Sequence, residues 1–222
     1  MAWLMRFFNS SVGMKMVVAL TGLGLAGFVV GHLSGNLLVY VGPEAINAYA
    51  EGLHDLGPLL WVIRGGLLAV FVVHIVFTVR LKRANAAARP AGYQHESTVQ
   101  ASWASRYMIY SGLLVLAFVI YHLMHYTFRV VGLGGYQLQS QFDLYGMIVA
   151  GFNQPLISAF YIFCLVLLGL HINHGLSSVF QSLGLAHSKY RRIIRYVGPV
   201  ASVVLMGGFI SIPIAVMVGI VG

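Results

Sequence analysis

The sequence is poor in charged side chains and poorest in acidic ones. Of its 222 residues, 8% are charged: 13 are Lys or Arg and only 5 are Asp or Glu. Since a soluble domain carries about 25% charged residues, this chain has too little charge to cover a water-facing surface. Disorder is also excluded, because it requires low hydrophobicity, and 59% of these residues are hydrophobic.

Cysteine is almost absent, and acidic residues are too few to balance the basic ones. The single cysteine, Cys164, can form neither an intrachain disulfide nor a thiolate cluster, so we interpret it as a small buried hydrophobe. The formal net charge of +8 is not interpreted as nucleic-acid binding. The positive residues lie in short loops between apolar runs, which is typical of membrane topology.

Long apolar runs are what the sequence contains instead. A helix needs about 20 apolar residues to cross a membrane. Five runs are long enough: about 17–40, 59–80, 107–128, 155–183 and 196–220. The first is too long for the apolar region of a signal peptide, and no cleavage-site pattern follows it, so we expect it to remain in the mature protein. We predict an all-α membrane protein in which residues 1–222 form one domain, a bundle of five transmembrane helices.

The basic residues predict the orientation of this bundle. Five spans place the two termini on opposite sides of the membrane. Eleven of the 13 basic residues lie on the side of the N-terminus. They are Arg6, Lys15, Arg80, Lys82, Arg83, Arg89, Arg106, Lys189, Arg191, Arg192 and Arg195. The positive-inside rule therefore predicts that the N-terminus is in the cytoplasm and the C-terminus outside. We expect a multi-pass protein of the cytoplasmic (inner) membrane.

Histidines in the apolar runs are candidate functional residues, because ionisable groups inside a membrane are costly. A lone histidine there can simply form a hydrogen bond with a neighbouring helix. Histidines on four of the five spans make that explanation weaker for the set as a whole. Six of the nine histidines lie in or near spans: His32, His74, His122, His125, His171 and His174.

Four of these histidines form two pairs when their depths are compared. With a rise of about 1.5 Å per residue, His32 and His122 lie about 12 and 10 Å from the outer ends of their spans. His74 and His171 lie about 22 and 24 Å from the outer ends. Two imidazoles at one depth on facing helices can hold a haem iron from both sides. The depths therefore predict a haem-binding bundle with two sites, about 12 Å apart in depth.

The remaining histidines and a row of glycines have more than one interpretation. His125 and His174 each lie three residues from a paired histidine and share roughly its helix face. Each could support a cofactor site or a quinone site, or be an interfacial polar residue. Gly27, Gly31 and Gly35 repeat every four residues on the first span. This row is typical of a groove for a flat ring or of ordinary helix packing.

Each paired histidine lies in a short motif. His32 lies in Gly-His-Leu-Ser-Gly-Asn-Leu, His74 in Val-Val-His-Ile, His122 in Tyr-His-Leu-Met-His-Tyr and His171 in Leu-His-Ile-Asn-His-Gly. In order and spacing these motifs resemble the di-haem cytochrome b membrane subunit of succinate dehydrogenase and fumarate reductase, over nearly the whole chain. The resemblance implies that His32 and His122 ligate an outer (distal) haem b, and His74 and His171 an inner (proximal) one.

The resemblance also implies partners and an activity. The partners are a flavoprotein that handles succinate and fumarate, and an iron–sulfur subunit on the cytoplasmic side. The lipid-soluble substrate is a quinone, either menaquinone or ubiquinone. The chain is then the membrane anchor and electron-transfer subunit of a succinate:quinone oxidoreductase, and does not oxidise succinate by itself. The alternatives are a di-haem cytochrome b of a hydrogenase or formate dehydrogenase, and a haem-free transporter or scaffold.

Polar residues near the span ends are further candidates. Quinone reduction consumes protons, and Glu51, His54 and Asp55 in the outer loop could supply them, although a solvated loop is the simpler interpretation for each.

Basic residues at the span ends could pair with haem propionates. Arg64 lies about 7 Å inside the outer boundary, where it could pair with the outer haem or extend to the interface. Lys15 and Arg106 could do the same for the inner haem, or act only as topology markers.

Overall fold

The computed structural model describes residues 2–88, 106–138 and 140–222, so Arg89 lies outside the described residues. Within these ranges the chain is helical and contains no β-strand. The α-helices are α1 (Ala2–Asn9), α2 (Ser11–Asn36), α3 (Pro43–His54), α4 (Pro58–Ala87), α5 (Met108–His122), α6 (Leu144–Phe152), α7 (Pro155–Ser182) and α8 (Arg191–Met217). The 3-10 turns Leu37–Tyr40 and Ser188–Tyr190 adjoin α2 and α8, and a π-helical turn, Leu123–Thr127, continues α5.

Five of these helices are long and apolar enough to cross a membrane. With their adjoining turns they are Ser11–Tyr40, Pro58–Ala87, Met108–Thr127, Pro155–Ser182 and Ser188–Met217. The predicted all-α class and the five candidate membrane helices are thus confirmed. Helix α2, the first of the five, begins earlier than the predicted residue 17. The side chain of Ser10 caps its start by accepting a hydrogen bond from the Gly13 amide.

The outer surface of the bundle is apolar. Trp61, Leu156 and Val203 are 70%, 86% and 71% exposed. Soluble monomers rarely expose apolar surface on this scale, whereas lipid covers it readily. The surface is therefore compatible with a multi-pass membrane protein.

Helix α7 is the centre of the bundle and packs against α2, α5 and α8, while α4 packs along α2. Small residues allow α7 and α8 to approach closely. A Cβ atom at Gly169 would lie 2.7 Å from Cγ of Met206. The hydroxyl of Ser202 donates to the Gly169 carbonyl at 2.7 Å and joins the same two helices.

The short helices α3 and α6 pack against each other over one end of the bundle. Pro43 begins α3, and Asp143 caps α6 by accepting a hydrogen bond from the Gly146 amide. The Tyr145 amide donates to the side chain of Asn47 at 2.9 Å and links them. We call this end of the bundle the α3–α6 end; the charge pattern predicts that it faces outward.

Candidate functional site

His32 on α2 and His122 at the end of α5 lie side by side. Their ring centroids are 5.7 Å apart, and the ring planes are nearly perpendicular at 84°. Phe28 stacks on His32 at 5.4 Å, and Phe118 contacts His122 at 6.0 Å. With metal–nitrogen bonds of about 2 Å, two imidazoles that share one metal have centroids about 6 Å apart. The separation of this pair is therefore compatible with a shared metal ion, and it is also an ordinary distance for edge-to-face packing of two rings.

The polar contacts of this pair are few. Nδ1 of His122 is buried and has no hydrogen-bond partner among the described residues. Asn36 donates to the carbonyl oxygen of His32 at 2.7 Å, and its amide nitrogen is 3.4 and 3.5 Å from the two ring nitrogens. A buried polar atom without a partner is unfavourable, and Nε2 of His125 and the Tyr126 hydroxyl are in the same position. This cluster of unmet hydrogen bonds is compatible with a site that a bound group completes.

His74 on α4 and His171 on α7 are held differently. Nδ1 of His74 is hydrogen-bonded to the hydroxyl of Thr21 on α2 at 3.0 Å. Nδ1 of His171 is hydrogen-bonded to the hydroxyl of Ser111 on α5 at 3.1 Å. The two histidines are also close enough to interact electrostatically. The Nδ1 contact orients each ring, and His74 also interacts with the backbone of Val18 on α2.

A glycine follows each of these hydroxyl residues and makes room for the ring. A Cβ atom at Gly22 would lie 3.1 Å from Cε1 of His74. A Cβ atom at Gly112 would lie 3.4 Å from Cε1 of His171. A larger residue at Gly22 would crowd the ring, and one at Gly112 would only touch it. The two rings therefore lie against equivalent small residues on different helices.

His125 shares the aromatic neighbours Tyr126 and Tyr161 with His122 but makes its own hydrogen bond. It is fully buried in the π-helical turn, where Nδ1 is hydrogen-bonded to the Tyr161 hydroxyl at 2.9 Å and the ring stacks on Tyr126 at 4.1 Å. Cβ atoms at Gly132 and Gly151 would lie 2.6 and 2.7 Å from the imidazole. π-Helical turns are frequent at functional sites, and this one directs His125 into packed protein.

His174 lies one turn after His171 on α7, half-buried and within its electrostatic reach. Its role in a cofactor site or a quinone site, or as an interfacial polar residue, stays a prediction.

The candidate quinone residues lie at the surface. Glu51, His54 and Asp55 are exposed at the C-terminal end of α3. Nδ1 of His54 donates to the Ala50 carbonyl at 3.1 Å, and its ring contacts Phe142 at 5.0 Å.

A cavity of about 500 Å³ lies between α3, α6 and the loop before α6. Its polar lining comes from Asn47, Tyr136, Asp143 and Asn153, and the three exposed quinone candidates do not line it. Tyr136 donates to the buried carboxylate of Asp143 at 2.7 Å. This hydrogen bond, together with burial and the carboxylate charge, raises the pKa of Tyr136 above its ordinary value.

The candidate propionate partners are all exposed. Arg64 lies over the ring of Trp61, 5.2 Å from its centroid. Lys15 is the fifth residue of α2 and Arg106 lies just before α5, both at the end of the bundle opposite α3 and α6.

The glycine row on α2 is not a continuous packing surface. Cβ atoms at Gly27 and Gly31 would contact nothing within 4 Å, whereas one at Gly35 would lie 2.6 Å from the ring of Tyr49. Only the last glycine of the row therefore serves helix packing in the described structure.

Sequence reasoning missed Thr21 and Ser111, although a signal was present. Thr21-Gly22 precedes His32 by the same 11 residues by which Ser111-Gly112 precedes His122. The sequence did not reveal that the earlier hydroxyl of each helix contacts a histidine on another helix.

Within the described ranges, no group of three or more His, Cys, Asp or Glu side chains is placed to hold a bare metal ion. A haem iron would need only two protein ligands, and the separation of His32 and His122 is compatible with that number. Comparisons of the chain with protein-family models, curated proteins and solved structures found no significant match. The functional interpretation therefore depends on these residues and their motifs.

Proposed function

We propose that this chain is the membrane anchor and electron-transfer subunit of a succinate:quinone oxidoreductase, with two b haems bound in its helical bundle. The observation that carries the proposal is the placement of His32 beside His122, at a separation that suits one shared metal ion. The motifs around the paired histidines support this particular complex over other cytochromes b.

Four helices supply the haem ligands in this proposal. His32 and His122 hold the outer haem, and His74 and His171 hold the inner one. Two axial histidines leave no open position on an iron, which suits electron transfer rather than oxygen chemistry. When bound, the haems supply one-electron oxidation and reduction, and the protein holds and tunes them.

The basic residues at the end of the bundle opposite α3 and α6 support docking of partner subunits there. An iron–sulfur subunit and a flavoprotein on the cytoplasmic side deliver or receive electrons. A membrane quinone is the other electron carrier. Glu51, His54 and Asp55 remain candidates for its protons, because they lie at the outward-predicted end.

The test uses the complex purified from its native membrane with its partner subunits. Haem assay by the pyridine haemochrome method should give two b haems per chain, with low-spin spectra. Succinate should reduce them and fumarate should reoxidise them. Reduction by hydrogen or formate, and not by succinate, would assign the chain to another respiratory complex. A preparation without absorbance in the Soret region would favour a transporter or scaffold.

A further inference from the structure

Helices α2 and α5 share a sequence pattern that spans two depths in the bundle, that of the inner histidine pair and that of the outer one. On each, a hydroxyl residue followed by glycine lies 11 residues before a histidine of the outer pair. Eleven residues are about three helical turns, so both members of the pattern lie on one face, about 16 Å apart. On α2 the pattern joins Thr21 to His32, and on α5 it joins Ser111 to His122. Each of these helices therefore contributes a ring to one level and a hydroxyl to the other.

Hydrogen counting at these hydroxyls determines which ring nitrogen carries a proton. The Thr21 hydroxyl donates to the Val17 carbonyl at 2.6 Å, and the Ser111 hydroxyl donates to the Met108 carbonyl at 2.8 Å. A hydroxyl has one hydrogen, so when that hydrogen is donated to the carbonyl the oxygen accepts from the imidazole that it faces.

The two imidazoles therefore share one tautomer. This arrangement places the hydrogen on Nδ1 of both His74 and His171, which lie 3.0 and 3.1 Å from these hydroxyl oxygens. In a neutral imidazole the other nitrogen, Nε2, then presents a lone pair. That is the nitrogen available to a metal.

We infer that Thr21 and Ser111 are positioning residues for the inner haem, an inference that rests on the proposed function. Their hydroxyls fix the tautomer of His74 and His171 and the rotation of both rings. By accepting the Nδ1 hydrogen they also make each imidazole a stronger electron donor. A stronger donor stabilises oxidised iron, so these two hydroxyls lower the midpoint potential of the inner haem.

The effect is specific to the inner level. Within the described residues Nδ1 of His122 has no hydrogen-bond partner, and His32 has only long contacts with the amide of Asn36. Changes at Thr21 or Ser111 should therefore leave the outer haem as it is.

The experiment compares variants of the whole complex by redox titration and by low-spin EPR of the oxidised haems. Thr21→Val and Ser111→Ala remove an acceptor, whereas Thr21→Ser and Ser111→Thr keep one. Ser178→Ala is the control, because Ser178 is half-buried and its hydroxyl donates to the Gly175 carbonyl three residues earlier, as that of Ser111 does to Met108.

Thr21→Val and Ser111→Ala should each raise the midpoint potential of the inner haem and shift only the EPR signal of that haem. Each should also speed dissociation of the inner haem roughly 10-fold. The hydroxyl-retaining variants and the control should match the wild type. Unchanged signals in complexes with two haems, or an equal shift of the outer haem, would overturn the inference and leave the proposed function intact. A wild-type complex without haem would overturn both.

If the complexes with Thr21→Val or Ser111→Ala fail to assemble, Ser111→Cys tests whether the acceptor at this position tunes the inner haem. A thiol is similar in size to a hydroxyl and is a weaker acceptor. Ser111→Cys should therefore raise the midpoint potential of the inner haem by less than Ser111→Ala does. No shift in this variant would also overturn the inference.

Discussion

The Tyr161 hydroxyl and Nδ1 of His125 are hydrogen-bonded at 2.9 Å in the buried core at the α3–α6 end of the bundle. His122, one turn earlier, instead faces His32. Both histidines of the Tyr-His-Leu-Met-His-Tyr motif contact the rings of Tyr126 and Tyr161, but only His122 contacts His32 and only His125 is hydrogen-bonded to Tyr161. One lies beside a second imidazole, and the other is part of the protein packing.

Loss of a paired histidine should remove one haem and spare the other. His32→Ala and His122→Ala should each lose the outer haem, and His74→Ala and His171→Ala the inner one, because each ligand has one partner at its depth. Haem content and two-step redox titration of the assembled complex measure this. Loss of the same haem in His32→Ala and His171→Ala would contradict the pairing.

His125→Ala and His174→Ala should keep both haems. Neither side chain belongs to a pair, so each substitution should change a potential more than haem content. The same haem assay and titration apply, with His122→Ala as the comparison. If His125→Ala lost the outer haem and His122→Ala kept it, the ligand would be the second histidine of the motif.

Tyr161→Phe should destabilise the protein without loss of haem. The substitution removes the hydrogen bond to His125 and leaves Nδ1 of a fully buried ring unpaired, which costs about 1–3 kcal/mol. A lower Tm of the complex in detergent measures the effect. Tyr196→Phe on the exposed part of α8 is the control and should change stability by less than about 0.5 kcal/mol. Equal Tm values for the two variants would contradict the prediction.

A reporter fused after Gly222 should be found outside the cytoplasm. Eleven of the 13 basic residues lie on the opposite side of the five predicted spans. A second reporter, inserted after Ala88 at the end of α4, should be cytoplasmic. Phosphatase and fluorescent-protein fusions distinguish the two locations. A cytoplasmic signal from both sites would require a different number of spans.

The contact between Tyr136 and Asp143 should stabilise the protein at neutral pH and be lost in alkali. Because the pKa of Tyr136 is raised in the folded state, its contribution is complete below the ordinary tyrosine pKa and disappears as the pH rises through the raised value. The Tm of Tyr136→Phe should therefore lie below that of the wild type at neutral pH and approach it in alkali. A constant difference across this range would contradict the assignment.

The lengths of the apolar runs and the constant rise of an α-helix determined the number of long helices and the depth of each histidine along them. Each run that exceeds the membrane thickness forms a long helix, because backbone groups in lipid must pair within their own segment. The same constant rise predicts from the sequence that His32 and His122 lie at one depth, and their rings are in contact in the structure. Pro155 marked the start of α7 correctly, since proline fits a first helical turn.

Only the tertiary structure decided which side chains meet. Helical rise gives depth, but the rotation of each helix about its axis depends on packing with its neighbours. The contacts of His74 with Thr21 and of His171 with Ser111 join residues far apart in the chain, so no local pattern specifies them. The π-helical turn that contains His125 follows directly after His122, and a π-helical turn is too rare to be expected from the periodicity of an α-helix.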